Sequence, residues 1–447
     1  MSRFNIAGGQ PQFSTIEDES RRPALIETGD AFGPKAPASL KDTGVSPAVL
    51  LNLALKAAYT VPQFTTEWTA RLLCLPHNLA SELLEQLRTE QMLEILGSSG
   101  PFGYRYAISG RGRERAARLL DISGYIGPAP VSLEAYTEML AWQLARSPEL
   151  TSEQVAEALS ELVLGDQERL LAGLAAASRR SLFLFGPPGN GKTSVGRMIH
   201  GAFRGTIWIP HCIGIDENII RIYDSHVHET AELDPELHPK IDHRWQLIHR
   251  PLVVGGGEMT LDSFDLTYSP SHRYYEAPVH LKANGGTFLI DDYGRQNIEP
   301  HQLLNRWIIP LEHRIDYLTL QNGQKIQVPF EQFLIIATNL DLGVVTDPAF
   351  LRRMGYRLYL APPTPAQYRL IFEQYAERQG FVLQPGLVDR ILNRYEATNR
   401  ELRRCEPRDL IERARDICRF TGRPESIDDT VLDLAWSGYF GTQQNQP

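Results

Sequence analysis

Leu182-Phe-Leu-Phe-Gly186-Pro187-Pro188-Gly189-Asn190-Gly191-Lys192-Thr193 runs from an apolar strand straight into a glycine-rich turn closed by a lysine and a threonine. Glycines at 186, 189 and 191 accept backbone angles that a side chain would forbid, so successive N–H groups can turn inward as a nest for anionic oxygens. A helix starting near Lys192 and running over Ser194–Phe203 adds its positive end to that nest. The spacing is that of a phosphate-binding loop. In such a loop Lys192 faces the β- and γ-phosphates of a nucleoside triphosphate, the Thr193 hydroxyl is a ligand of Mg²⁺, and Gly186 to Gly191 with Ser194 complete the nucleotide contacts.

Four further stretches follow in order. Gly286-Thr-Phe-Leu-Ile-Asp291-Asp292 is an apolar strand ending in two carboxylates: Asp291 to hold Mg²⁺, and Asp292 in the place of the general base that orients an attacking water. Phe333-Leu-Ile-Ile-Ala-Thr-Asn339 is a second apolar strand, ending in an amide suited to touching the γ-phosphate or its water. Asp347-Pro-Ala-Phe-Leu-Arg352-Arg353-Met354 places two guanidinium groups at the end of a short helix, and Glu406-Pro-Arg408-Asp-Leu opens a helix in the C-terminal region.

Taken together, the five stretches resemble the AAA+ ATPase superfamily over residues from about 151 to 440. The resemblance implies an α/β fold: a P-loop NTPase AAA+ core with a parallel sheet flanked by helices, followed by a C-terminal helical lid. It implies ATP and Mg²⁺ as ligands, Asn339 as first sensor, Arg353 with Arg352 as neighbouring candidate for an arginine finger, and Arg408 as second sensor. Leu162-Val-Leu-Gly165-Asp166 is similar to the segment that lines the adenine pocket in this superfamily, which adds Gly165 to the expected nucleotide contacts. A finger stabilises charge on the departing γ-phosphoryl group from an adjacent subunit, so the resemblance also implies a homo-oligomeric ring, a hexamer in most relatives. One departure stands out. The superfamily's second acid is usually Glu, and Asp292 is one methylene shorter. A misplacement of about 1 Å can cost about 100-fold in rate, so either hydrolysis is slow or a repositioned backbone compensates.

Asn322-Gly323 between the β-forming runs Arg314–Leu320 and Lys325–Phe330 signals a hairpin just ahead of the Phe333 strand. It resembles the pre-sensor insertion of MoxR-type chaperones, magnesium chelatases and enhancer-binding activators, where the tip faces the ring pore. Asn322 to Lys325 are then candidate contacts to a remodelled partner. Thr206-Ile-Trp-Ile-Pro-His211 is similar to the second strand of the enhancer-binding activators, glycine-rich Pro251–Met259 reads as a second pore-facing loop or a bare turn, and His226-x-His228 as a weak metal pair inside a polar insertion.

The flanking sequence divides the chain into a tail at 1–44, a winged-helix-like domain at 45–123, a linker with one helix at 124–150, the nucleotide domain at 151–361, the lid at 362–440 and a tail at 441–447. Within 46–123, apolar stripes mark three helices, Thr65 caps the second, and a hairpin precedes a fourth helix, which resembles a winged helix-turn-helix. That stretch holds eight Lys or Arg against seven Asp or Glu, and its third helix carries three glutamates against Arg88 alone. Because phosphate contacts supply most nonspecific DNA affinity, docking to protein is the first reading and DNA the second.

The whole chain of 447 residues has a net charge of −9, which argues against a surface given over to nucleic acid. Cys74, Cys212, Cys405 and Cys418 form no C-x-x-C pair, and no apolar run is long enough for a membrane span, so a cytoplasmic location is expected. The function implied is an ATP hydrolase that remodels a protein substrate the sequence does not identify. The alternatives are a DNA-associated ATPase recruited through the winged helix and a slow, ATP-gated scaffold.

Overall fold

In the computed structural model, residues 22–29, 31–98, 103–271, 273–296, 298–340 and 348–441 are described. The chain forms two compact units, and their division does not follow the sequence in order. One unit comprises 149–205, 250–266 and 278–447; the other takes 1–148, 206–249 and 267–277.

The first of these units is built on five strands: β1 (Leu182–Phe185), β2 (Leu252–Gly255), β3 (Thr287–Ile290), β4 (Phe333–Thr338) and β5 (Tyr356–Tyr359). They lie in the order β2-β3-β4-β1-β5, and every neighbouring pair is parallel. Leu182, Phe183, Phe288, Leu289 and Ile335 are fully buried, as expected for strands covered on both faces. Helices Asp166–Ala177 and Lys192–His200 pack their apolar faces on this sheet through Ala172, Ala176, Val195 and Ile199. The α/β fold expected from the sequence, a parallel sheet flanked by helices and followed by a helical lid, is therefore present.

The lid has its own core. Tyr368, Phe372, Ile391, Tyr395, Leu410 and Ile411 are buried among helices Pro365–Arg378, Leu387–Ala397, Glu406–Thr421 and Asp429–Phe440. The hairpin ahead of β4 pairs Ile315–Thr319 with Lys325–Pro329, and Gly323 takes φ 81° at its tip. At its base Asp316, 2% exposed, accepts from Arg306 and lies 2.8 Å from His280 Nε2. Burial alone would raise that carboxyl, but its neighbours His280 and Arg306 together outweigh it and hold it below the usual carboxylate range.

The second unit is assembled from separated stretches. Helices Pro47–Tyr59, Thr66–Leu73, His77–Thr89 and Gly110–Ile122 surround a three-stranded sheet of Phe64–Thr65, Tyr104–Ile108 and Leu93–Ser98. Thr65 Oγ1 accepts from the Trp68 N–H at 3.2 Å and caps the second helix. A five-stranded sheet in the same unit orders Thr267–Ser269, Tyr274–Glu276, Asn218–Arg221, Cys212–Ile215 and Val131–Ser132. In the same unit Arg244, whose side chain is 4% exposed, ties separated stretches of chain together. The guanidinium donates to Asp242 at 2.7 Å, to the Thr43 carbonyl at 2.8 Å and to the Pro130 carbonyl at 2.9 Å.

Four expectations are corrected here. Residues 22–44 are not a tail: Leu25–Thr28 pairs with Ala31–Pro34, and the Phe32 carbonyl accepts the Trp208 indole N–H at 2.9 Å. These strands are too short, and too rich in Gly and Pro, to show periodicity. Residues 124–150 are not a bare linker, since Val131–Ser132 is a sheet strand and Leu133–Ala145 packs in the same unit. The nucleotide domain is not continuous over 151–361, because 206–249 and 267–277 belong to the other unit. Thr206–Pro210 is accordingly not the second core strand. It pairs antiparallel with Trp245–His249, and β2, from the stretch expected to be a glycine-rich loop, takes that place. A β-forming run has no marker for which sheet it joins. The expectations for residues 1–21, Asp347 and 442–447 concern positions outside the described residues.

Candidate functional site

The unit with the five-stranded parallel sheet carries a cleft of about 500 Å³ at the carboxyl ends of its strands. Gly189, Asn190, Gly191, Lys192, Thr193 and Ser194 line it from the loop after β1, Asp291, Asp292 and Asn339 from the ends of β3 and β4, and Arg378, Arg404, Cys405 and Arg408 from the lid. Leu162 to Leu164 line it too. Gly165 does not: it is the N-cap of helix Asp166–Ala177, and its N–H donates to Glu168 at 2.9 Å. Gly186, Pro187 and Pro188 also lie outside the lining.

The loop's glycines answer to geometry. Gly186 has φ 134°, and a Cβ there would stand 2.5 Å from the Leu360 carbonyl oxygen; Gly189 has φ 79°, and a Cβ there would stand 2.7 Å from Cys405 Sγ. Lys192, 6% exposed, donates from Nζ to the carbonyls of Gly186 at 2.9 Å and Pro187 at 2.8 Å. Burial lowers its pKa, and the nearby Asp292 and Asp291 oppose that shift. Asn190 is 1% exposed, and its Nδ2 has no partner among the described residues. A buried amide donor of this kind, with glycine nests beside it, fits an anionic ligand.

Thr193 Oγ1 donates to Asp291 Oδ1 at 2.9 Å, so a hydroxyl and a carboxylate converge from two separate motifs. No group of three or more His, Cys, Asp or Glu poised for a metal occurs among the described residues. Two protein oxygens fit Mg²⁺, which keeps several waters and takes the rest of its shell from substrate phosphates. His228 serves its own turn, where its Nδ1 accepts from the Asp224 N–H at 3.0 Å.

Asp292 has φ 49°, in the left-handed region. Short polar residues tolerate that region better than longer side chains, which gives a local reason for an Asp at this position. Its Oδ1 accepts from Asn339 Nδ2 at 2.7 Å. The turn is held from behind: Gln296 Nε2 donates to the Asp291 carbonyl at 2.9 Å, Tyr293 N–H to the Ala337 carbonyl at 2.8 Å, and Thr338 Oγ1 to the Tyr293 carbonyl at 2.7 Å.

The arginines divide. Arg408 is 56% exposed, pairs with Asp409 at 3.0 Å and reaches the cleft wall. Arg352 and Arg353 are not among the lining residues; Arg352 is exposed, and Arg353 pairs with Glu312 at 3.0 Å. Sequence reasoning passed over Arg404, Arg378, Glu168 and Gln296. None of the four carries a sequence signal that separates it from a solvated surface residue.

Residues 364–438, most of the lid, match the family model of a domain of unknown function, DUF8689. No curated protein matches the chain. Among solved structures, NtrX from Brucella abortus in complex with ATP is similar at 14% identity and a TM-score of 0.39, over 72% of this chain and 62% of that one. The RuvB Holliday junction branch migration motor of Thermotoga maritima is similar at 16% identity and a TM-score of 0.35, over 65% of this chain and 72% of that one. The chain thus spans less than two thirds of the NtrX chain. At these scores the likeness adds nothing to the strand order and cleft described above.

Proposed function

We propose that this protein is an AAA+-type ATPase that binds and hydrolyses Mg²⁺-ATP in a ring of identical chains and uses the cycle to remodel a protein partner. The observation that carries this reading is the convergence of Lys192, the Thr193–Asp291 pair and the Asp292–Asn339 pair on one cleft roofed by a lid. In this reading Gly186 to Ser194 cradle the phosphates. Lys192 turns from the loop carbonyls toward the β- and γ-phosphates. Thr193 and Asp291 would hold Mg²⁺, whose chemistry there would be to supply positive charge against the phosphates. Asp292 accepts the proton of the attacking water while Asn339 fixes the carboxylate's orientation.

Arg408 approaches the γ-phosphate from the lid, and Arg352 or Arg353 acts on a neighbouring subunit's cleft. Neither of that pair lines its own cleft, which supports a role in trans. The hairpin tip, Asn322 to Lys325, is exposed and suits contact with a partner. The helix, strand, helix, helix, hairpin order of 47–108 supports the winged-helix reading, and its near-even charge supports docking to protein over DNA. No described helix is long and apolar enough to cross a membrane, and a cytoplasmic location belongs to the same proposal.

Phosphate release from ATP, with and without a chelator of Mg²⁺, tests the reading. Turnover that is lost on chelation is expected; absence of both turnover and nucleotide binding would end it.

A further inference from the structure

Arg404 sits where the lid meets both ends of the cleft. Its side chain is 8% exposed, and its guanidinium donates to both Glu168 oxygens, at 2.9 and 3.0 Å, and to the Val163 carbonyl at 3.0 Å. Glu168 Oε2 also accepts the Gly165 N–H at 2.9 Å, so one carboxylate caps helix Asp166–Ala177 and grips the lid at once. The next residue, Cys405, donates its N–H to the Gly189 carbonyl at 2.9 Å, inside the phosphate loop. Two consecutive lid residues therefore touch the loop at one end of the cleft and segment 161–168 at the other. Arg378 adds a second tie to that segment, donating to the Glu161 carbonyl and carboxylate at 3.2 Å each.

We infer that Arg404 is a positioning residue that couples the lid to segment 162–165, so that lid closure and the shape of the nucleoside end of the cleft are set together; this rests on the nucleotide-binding reading above. A planar fork is required, because one face of the site offers a carboxylate and the other a backbone carbonyl. An ammonium cannot span both with the same geometry. Because the guanidinium bonds to the segment opposite the phosphate loop, its loss weakens diphosphate and triphosphate alike. Arg408, by contrast, is placed for discrimination between them.

The test is titration of the full chain with fluorescent ADP and fluorescent ATP in Mg²⁺, for wild type, R404M, R404K and E168Q. Affinity for both nucleotides is expected to fall about 10-fold in R404M, inside the range usual for coupled sites, and less in R404K and E168Q. In steady-state turnover the loss is expected in KM rather than kcat, and hydrogen exchange at 162–165 in the nucleotide-bound state is expected to speed up, which a merely structural defect elsewhere in the lid would not produce. Wild-type affinity in both R404M and E168Q overturns the inference and leaves the nucleotide reading intact. A loss confined to ATP overturns it as well, since Arg404 would then read the γ-phosphate. Failure of the wild type to bind either nucleotide removes the reading and the inference with it. Should R404M fail to fold, the near-isosteric E168Q decides by the same criteria.

Discussion

The Lys192 end of the cleft comes from one unbroken run, Gly189 to Ser194, whereas the five-stranded sheet of the other unit draws on strands from 131–132, 212–221 and 267–276. The first is organised by backbone rules that act within a few residues: glycines at positive φ, then a helix start. The second is drawn from separated stretches, and in the same unit Arg244 reaches the Thr43 and Pro130 carbonyls across the sequence. Chemistry is concentrated in the region whose geometry is local, and assembly in the region whose geometry is not.

The contrast can be broken first at the arginines. If the cleft is completed in trans, R352A/R353A is expected to lower kcat by on the order of 10³-fold while nucleotide affinity stays near wild type. Unchanged turnover would remove the need for a neighbour. Next, D292N is expected to reduce kcat about 10²- to 10⁴-fold with binding retained, the usual range for loss of a general base. D292E sharpens the point. A longer side chain at φ 49° is expected to cost about 1–2 kcal/mol in stability and to give no gain in rate, whereas a faster D292E would show that Asp292 is simply too short.

In the other unit, R244M leaves Asp242, 3% exposed, as an uncompensated buried charge. Urea unfolding is expected to show a loss of about 3–5 kcal/mol. A value under about 1 kcal/mol, the worth of a surface pair, would mean the guanidinium is no anchor.

These particulars show what could be read from the chain. The phosphate loop, the ends of β3 and β4 and the hairpin at Asn322-Gly323 were legible because each is a short pattern with its own turn chemistry. The course of 206–249 was not. Thr206–Pro210 has the composition of a core strand, and only its ladder with Trp245–His249 and the Gln143 side chain bonding the Trp208 backbone at 2.7 and 3.1 Å reveal its place. Arg404 was opaque for a related reason. Its partners lie at 163 and 168, and nothing in Arg403-Arg404 distinguishes a buried fork from a solvated helix start. The left-handed turn at Asp292 was equally hidden, though its consequence, an acid shorter by one methylene, was visible.

A pH dependence is also expected in the second unit. Burial pushes Lys56 down to about 8 from the ordinary lysine value of 10.5, and its Nζ donates to the Ser123 carbonyl at 2.9 Å. Between those two values the unfolded chain binds the extra proton, so this residue's contribution makes stability rise as pH climbs from about 8 toward 10.5. Urea midpoints across that window are expected to rise more steeply for wild type than for K56M; equal slopes would show that Lys56 titrates normally.

The central claim is that this cleft binds and hydrolyses a nucleoside triphosphate through Lys192. Steady-state phosphate release from Mg²⁺-ATP, compared between wild type and K192A at matched folding, tests it most directly. Turnover in the wild type that falls at least about 100-fold in the variant is expected, as for loss of a preorganised transition-state donor; equal rates in the two proteins would contradict it.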